Sequence, residues 1–281
     1  MKKRDNHHTL SVVKNWLERT SGILHPRAAA KSFRLIRHRP SKDLAPFVAR
    51  FWIMRWTLRE PYRQDVIPYP CVNLAVESGR SGIFGVASKS VSRVIGGQGL
   101  VFGVKFLPGG FRAFFGRPIA DLTDRSIPIG NVFGTSDREW EEAILSLNED
   151  APMIAQAESR LRAQNPERHA DAETVLQIVN AIADDRELTK VDDVVRLAGA
   201  SKRTLERLFR EYVGVGPKWV LQRYRLHEAA ELAAKRERRD WADLAARLGY
   251  ADQAHFIRDF KRFIGQTPTR YAAMAATRAE A

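Results

Sequence analysis

The chain has 281 residues, and its 46 Lys and Arg outnumber its 33 Asp and Glu to give a net charge of +13. The length suits two domains with a buried core each, and the positive charge suits a polyanionic partner. A single cysteine excludes an internal disulfide, and no run of roughly 18 apolar residues is present to cross a membrane.

The first 24 residues are predicted to form a polar tail. They contain at most a short helix over residues 10–18, and disorder is one outcome that their polarity allows. The segment is basic but lacks the apolar run of a signal peptide, so we expect a cytoplasmic protein.

Residues 25–164 have the pattern of a β-rich domain. Strand-like segments are separated by Pro, Gly and Ser, and they read FWIMRWTL, CVNLAVE, SRVIGG and LVFGVKFLPGG. Short strands at this spacing indicate an antiparallel sheet or a small barrel. A helical turn is predicted at 111–115, and amphipathic helices are predicted at 137–147 and 152–162.

Some side chains in this domain are candidates for a site, and each also has a structural interpretation. Phe51, Trp52 and Trp56 are suited to line an apolar ligand pocket, but such residues are more often core. The glycines of GGQGLVFGVKFLPGG lack the Gly-Lys-Ser/Thr of a phosphate loop, which favours turns and bulges. The seven histidines show no metal-ligand spacing, so we expect neither a metal nor a cofactor.

Residues 165–171, NPERHAD, are the predicted linker, because apolar periodicity stops there. Beyond it, one passage occurs twice with an offset of 51 residues: 197–220 reads LAGASKRTLERLFREYVGVGPKWV, and 248–271 reads LGYADQAHFIRDFKRFIGQTPTRY. Two copies indicate one supersecondary unit used twice, because a solenoid needs at least three.

The second copy has the caps and turns of a helix-turn-helix. Asp240 and Asp252 are suited to cap two helices, and Gly249 is suited to the turn between them. Gly265 ends the second of these helices, and Pro268 begins another. The buried stripe predicted for the second helix consists of Phe256, Phe260 and Phe263.

The first copy carries the same signals in the same order. Thr189 and Asp192 are predicted to cap its first helix, Gly199 to form the turn, and Ser201 to cap its second helix. The buried stripe predicted for that second helix consists of Leu205, Leu208, Phe209 and Tyr212.

The second helix of each copy leaves a polar and basic face exposed. The first presents Lys202, Arg203, Glu206, Arg207 and Arg210, and the second presents Gln253, Ala254, His255, Arg258, Lys261 and Arg262. Polar side chains near the start of such a helix reach base edges in a major groove, whereas flanking basic residues meet phosphates. A solvated helix face is also charged, but it need not recur at one offset.

These residues resemble the DNA-binding domain of the AraC/XylS family of bacterial transcription regulators. The stretch LGYADQAHFIRDFKRFIGQTPTRYA matches the family's signature region almost throughout, and SKRTLERLFREYVGVGPKWVL also fits. The resemblance covers about residues 172–276, and we take 172–281 as the domain. It implies seven helices that form two helix-turn-helix units, joined by a long central helix at 217–235.

The resemblance also implies which side chains contact bases. The family's base-contacting positions fall on Lys202, Arg203, Glu206 and Arg207 in the first unit and on Gln253, Ala254, His255 and Arg258 in the second. Ala254 and Ile257 are apolar where some members offer polar groups, so we expect the second unit to read fewer bases. We expect Arg210, Lys261 and Arg262 to contact phosphates.

The N-terminal part resembles a domain that often precedes AraC-type DNA-binding domains. The similar segments, within residues 40–130, are LAPFVARFWIMRWTL, VIPYPCVNLAVE and GVKFLPGGFRAFFGRPIADLTDRSIPI. The resemblance implies a β-rich regulatory or sensing domain, for which a cupin-like fold is one candidate, and it names no ligand.

The distribution of charge leaves the role of the N-terminal domain open. From residue 172 onward there are 20 Lys and Arg against 16 Asp and Glu, and the preceding part has 26 against 17. Most of the positive excess therefore lies outside the predicted DNA-binding domain. Three roles for this excess charge stay open: contact with DNA, contact with an acidic ligand, and keeping the protein in solution.

The sequence predicts an α+β protein of two domains that regulates transcription by binding double-stranded DNA and has no enzymatic activity. RNA polymerase is an expected partner, and a small-molecule effector and a homodimer are candidate partners.

Two alternatives stay open. In the first, Cys71, which follows Pro70, resembles the methyl-accepting cysteine of Ada-type repair proteins. A buried strand residue is the simpler interpretation of this cysteine. The other alternative is a module that docks a protein, with DNA contact secondary.

Overall fold

The computed structural model describes residues 22–24, 26–234 and 240–280. The short helix predicted at 10–18 lies outside the described residues. The N-terminal elements are α1 (Pro26–Ser32), β1 (Arg34–His38), β2 (Val48–Val66), β3 (Asn73–Val76), β4 (Gly82–Phe84), β5 (Val91–Phe106), α2 (Arg112–Phe115), a 3-10 turn (Ile119–Leu122), β6 (Ser126–Ile127), α3 (Gly130–Phe133), α4 (Asp137–Leu145) and α5 (Asp150–Arg162). The C-terminal elements are α6 (Ala170–Asp184), α7 (Val191–Ala198), α8 (Lys202–Tyr212), α9 (Pro217–Ala234), α10 (Trp241–Arg247), α11 (Gln253–Ile264) and α12 (Pro268–Glu280).

The strands of the described residues form one antiparallel sheet in the order β1-β2-β5-β3-β4-β6. This confirms the β-rich N-terminal domain, while the cupin-like candidate stays a prediction. The segments SRVIGG and LVFGVKF, predicted as two strands, form the single strand β5, which pairs with β2 along most of its length. The short strands β1, β4 and β6 are not among the predicted ones.

The glycine-rich part of β5 is a strand rather than a break because two indole rings lie across it. Trp52 is paired with Gly103, and Trp56 is paired with Gly99. A Cβ on either glycine would lie 2.0 Å from the ring of its partner. The glycines therefore make room for packing, and the two tryptophans cover one face of the sheet while Phe51 is fully buried on the other.

The main N-terminal core lies between the second face of the sheet and helices α4 and α5. Its largest fully buried side chains are Trp140, Phe51, Phe102, Phe106, Phe111, Leu44 and Ile53. Helix α4 begins where it was predicted, because Ser136 caps it by accepting a hydrogen bond from the Glu139 N–H at 3.3 Å, whereas α4 ends two residues early and α5 begins two residues early. This core supports one face of the sheet.

The seven helices α6–α12 confirm the helical C-terminal domain. They pack in two clusters of buried residues. The first includes Val179, Val194, Leu205, Phe209 and Leu221, and the second includes Leu226, Leu244, Phe256, Phe260 and Tyr271. Helix α9 contributes to both clusters, which makes it the predicted central helix. The predicted linker, 165–171, lies between α5 and α6 except for its last two residues, which begin α6; the exact domain boundaries stay predictions.

One predicted cap is wrong. Thr189 and Asp192 were expected to cap α7, but the helix begins at Val191, which places Asp193 at its third position. The Asp193 carboxylate accepts hydrogen bonds from the N–H groups of Thr189 at 3.0 Å and Lys190 at 2.8 Å. A capping carboxylate must sit three residues into the helix to reach back in this way.

The helices of the described part of the chain include none with the length and apolar character needed to cross a membrane.

Candidate DNA-binding surface

The first helix-turn-helix unit consists of α7 and α8. Gly199 ends α7 with a φ of 58°, a left-handed conformation that glycine adopts without a steric penalty. The Ser201 hydroxyl then accepts a hydrogen bond from the Thr204 N–H at 3.1 Å and starts α8. The buried side of α8 carries Leu205, Leu208 and Phe209, whereas Tyr212 is half-buried. These contacts fix which face of α8 points outward.

The second unit consists of α10 and α11 and has the same construction. The Asp240 carboxylate accepts a hydrogen bond from the Ala242 N–H at 2.8 Å, and the Asp252 carboxylate accepts one from the His255 N–H at 2.7 Å. Both predicted caps are therefore present. The predicted stripe of Phe256, Phe260 and Phe263 is buried. Helix α11 thus presents its other side outward, as α8 does.

On α8, the structure exposes all five of the predicted contact residues. The exposed set is Lys202, Arg203, Glu206, Arg207 and Arg210. Four of the five are basic, and the face that they form lies opposite the buried stripe. Such a face can meet a negatively charged groove without moving the core of the unit.

On α11, five of the six predicted contact residues are exposed, and His255 is half-buried. The exposed set is Gln253, Ala254, Arg258, Lys261 and Arg262. The His255 ring lies edge-on to the ring of Tyr250, with centroids 5.2 Å apart. This packing restricts the imidazole to one side of the helix.

Asp259 is a residue of α11 that sequence reasoning missed. It is 6% exposed, and its Oδ1 lies 3.1 Å from an Nη of Arg262. Its Oδ2 lies 3.6 Å from Nε2 of His255. Burial raises the pKa of the nearby Tyr250 hydroxyl, and the Asp259 carboxylate raises it further. The i−4 and i+3 spacing of Asp259 to two predicted contact residues is the sequence signal that could have revealed this arrangement.

The N-terminal domain contacts the first unit at the end of α8 rather than on its exposed face. Arg112 of α2 forms an ion pair with Glu211 at 2.8 Å. The Thr123 hydroxyl donates a hydrogen bond to the Gly214 carbonyl at 2.6 Å. A Cβ at Gly214 would lie 2.9 Å from that hydroxyl, so the backbones approach closely. The contact supports α8 and leaves the outward face open.

The N-terminal domain also contacts the central helix. The indole N–H of Trp219 and the guanidinium of Arg223 both donate to the Ser88 carbonyl, at 3.2 Å and 2.7 Å. The ring of Tyr69 stacks on that of His227, with centroids 4.1 Å apart. Arg223 is 1% exposed, and burial lowers its pKa to about 10. The two domains are therefore joined through a buried interface that combines polar contacts with apolar packing.

Part of the N-terminal positive charge lies near this interface. Arg50 and Lys105 are 4% and 7% exposed, and they lie opposite each other on the neighbouring strands β2 and β5. Burial, followed by repulsion from Arg37, lowers the pKa of Arg50 to about 10. The Lys105 ammonium lies 4.0 Å from the centre of the Tyr69 ring. These cations point neither to the DNA-binding face nor to bulk solvent.

A cavity of about 520 Å³ opens between the N-terminal segment, α9 and α12. Its walls are mostly apolar and include Leu24, Phe33, Ile67, Ala230 and Tyr271. Arg34 and Arg37 of β1 add positive charge at one side. The cavity is large enough for a small apolar molecule with an anionic group, and it touches both domains.

Comparison with known proteins identifies the C-terminal part. Residues 194–274 match a family described as "Helix-turn-helix domain", and residues 36–128 match one described as "Domain of unknown function (DUF6597)". Among named relatives, the HTH-type transcriptional regulator GlxA of Rhizobium meliloti is 39% identical over 75 residues, which are 27% of this chain and 23% of that protein. The probable transcription factor PqrA of Proteus vulgaris is 30% identical over 82 residues, which are 29% of this chain and 66% of that protein.

A solved structure is similar to part of this chain. It is the AraC-type DNA-binding domain-containing regulator from Chromobacterium violaceum, with 25% identity, a TM-score of 0.34 and coverage of 37% of this chain and 93% of that one. The sequence matches identify residues 194–274 as a helix-turn-helix domain of the kind that named transcription regulators carry. The chain carries an AraC-type helix-turn-helix domain, which confirms the family resemblance. The matched regions span less than two thirds of the curated relatives.

Proposed function

We propose that this protein is a sequence-specific transcription regulator whose two recognition helices, α8 and α11, read successive major-groove segments on one side of the DNA. The observation that supports the proposal is the pair of similar units on one central helix, with ten of the eleven predicted contact residues exposed. The base readers would be Lys202, Arg203, Glu206 and Arg207 in the first unit and Gln253, Ala254, His255 and Arg258 in the second. Arg210, Lys261 and Arg262 would contact phosphates. This partner would place the protein in the compartment that holds the DNA, which for the bacterial family is the cytoplasm.

The salt dependence of binding tests this proposal against the protein-docking alternative. Each phosphate contact releases counterions, so three contacts should lower the affinity at least tenfold between about 50 and about 200 mM salt. The measurement is fluorescence anisotropy with a selected duplex and a scrambled duplex of equal length. A flat salt response together with equal affinity for both duplexes would favour a module that docks a protein.

Cys71 does not suit the repair-enzyme alternative. It is 3% exposed and lies in the buried cluster that joins the sheet to helices of the C-terminal domain. A thiolate that accepts a methyl group from DNA must reach the damaged base. A buried packing role for this cysteine is therefore the interpretation that we propose.

We infer that the N-terminal domain modulates DNA binding by supporting the first unit. Its contacts lie at the end of α8 and leave the reading face exposed, so the domain orders this unit rather than blocks it. A variant with both Arg112→Gln and Thr123→Val should weaken binding by about three- to tenfold on all sequences, because a loosened unit must be ordered when it binds. Titration of one duplex with each protein measures this effect.

The matched control is Arg138→Gln. This residue forms an exposed i,i+4 ion pair with Glu142 at 2.7 Å, in the same domain but away from the interface, and its loss should leave the affinity unchanged. Tighter binding by the interface variant would show that the N-terminal domain inhibits the first unit. A small-molecule effector, a homodimer and contact with RNA polymerase stay predictions.

A further inference from the structure

The two helix-turn-helix units have separate hydrophobic cores. The first contains Leu205, Phe209 and Leu221, and the second contains Leu226 and Phe256. The two clusters have no buried residue in common, so packing within each unit does not determine how the units are placed relative to each other. That placement depends on the central helix, on the N-terminal residues that pack in each core, and on direct bonds between the units.

Arg225 lies on the central helix at the point where it passes from one core to the other. Its Nη2 donates a hydrogen bond to the Leu188 carbonyl, and its Nη1 donates one to the Leu248 carbonyl. Leu188 precedes α7 and is buried in the first core, whereas Leu248 follows α10 and is buried in the second. One guanidinium therefore links the backbones of both units.

The backbones of the two units also approach closely at this point. Gly249 has a φ of +73°, and a Cβ built on it would lie 2.9 Å from the Cβ of Thr189. The same Cβ would lie 2.7 Å from Nη1 of Arg225. The turn of the second unit thus lies against the segment that leads into the first, with the guanidinium beside the contact.

The chemistry of arginine suits this link. The Leu248 carbonyl belongs to the last turn of α10, where backbone carbonyls have no partner within the helix. A guanidinium is planar and offers donors in a fixed fork, so its two bonds hold two carbonyls in one geometry. A lysine ammonium is a point charge on a flexible stem and cannot impose that geometry.

We propose that Arg225 is a positioning residue that fixes the distance and rotation between the two recognition helices, and thereby the spacing of the two DNA segments that the protein reads. The inference rests on the proposed function. A shift of one base pair moves a DNA segment by about 3.4 Å and turns it by about a tenth of a turn. Two rigidly linked helices cannot follow such a shift, whereas two loosely linked ones can.

The test uses the full chain and duplexes that carry its two selected DNA segments at the optimal spacing, one base pair closer and one base pair farther. For the unchanged protein, we expect each shift to cost about tenfold or more in affinity. In Arg225→Lys and Arg225→Met, we expect this penalty to fall to about threefold or less, while binding at the optimal spacing weakens. Arg186→Gln is the control, because Arg186 is exposed and pairs with Glu228 of the central helix at 3.0 Å. The spacing penalty of this variant should equal that of the unchanged protein.

Arg225→Met leaves two backbone carbonyls without their donor, so thermal unfolding of each variant is measured first and the lysine variant is used if the methionine variant does not fold. A folded variant that keeps the full spacing penalty would overturn the role of Arg225. An equal loss of affinity at every spacing would overturn it as well, because that result reflects stability alone. If the unchanged protein selects no pair of DNA segments, the proposed function itself fails, and the inference fails with it.

Discussion

Replacing Arg207 or Arg258 by alanine should weaken binding to the selected site by about 1–3 kcal/mol and relax discrimination at one base pair. Both side chains are exposed on α8 and α11, at positions that we propose contact bases. A guanidinium in the major groove can make two hydrogen bonds to one guanine, and alanine removes both. Competition with duplexes that differ at single base pairs measures the loss and locates the affected position.

The matched comparison is Arg210→Ala, on the same helix as Arg207. Arg210 is exposed in the last turn of α8, where we expect a phosphate contact. Its removal should weaken binding to all duplexes by a similar factor. It should also reduce the slope of log affinity against log salt concentration by about one, because one phosphate contact is lost. If the two kinds of substitution gave the same profile across base pairs, the assignment of base readers would be wrong.

Replacing Phe260 by alanine should lower the free energy of unfolding by about 3–5 kcal/mol, because a buried ring is removed and a cavity is left. Phe260 is fully buried on α11, and its ring contacts those of Phe256 and Tyr271 with centroids 5.7 Å and 5.8 Å away. Urea unfolding monitored by circular dichroism measures the change. We also expect specific DNA binding to be lost, since α11 depends on this core.

Lys261→Ala is the control for this prediction. Lys261 is the next residue along the helix and is exposed, so its substitution should change the free energy of unfolding by no more than about 0.5 kcal/mol. A Phe260→Ala protein as stable as the Lys261→Ala protein would contradict the position of Phe260 in the core.

The architecture of the C-terminal domain could be predicted from the sequence because its signals are local. Caps, turn glycines and apolar stripes lie within a few residues of each other, and their recurrence at one offset makes chance agreement less probable. The one wrong cap shows the limit of such signals. Thr189 and Asp192 fit the pattern as well as the observed Asp193 does, and only the actual start of α7 decides between them.

The features that connect the two domains and the two units could not be predicted in the same way. Arg112 and Glu211 are 99 residues apart in the sequence, and nothing local in either segment indicates that they meet. Arg225 is one of several basic residues on the central helix, and its two carbonyl partners have no sequence signature. Glycine usually interrupts strands, so the sequence predicts two strands where the structure has the single strand β5. Only the pairing with Trp52 and Trp56 explains its continuity.

The central claim is that this protein reads two DNA segments with two linked helices, and an in vitro selection tests it most directly. The full chain would be used at one fixed salt concentration to select duplexes from a random library. We expect enrichment of two short blocks whose centres are about one helical turn apart, roughly 10 base pairs. Salt-sensitive binding without any enriched sequence would contradict it.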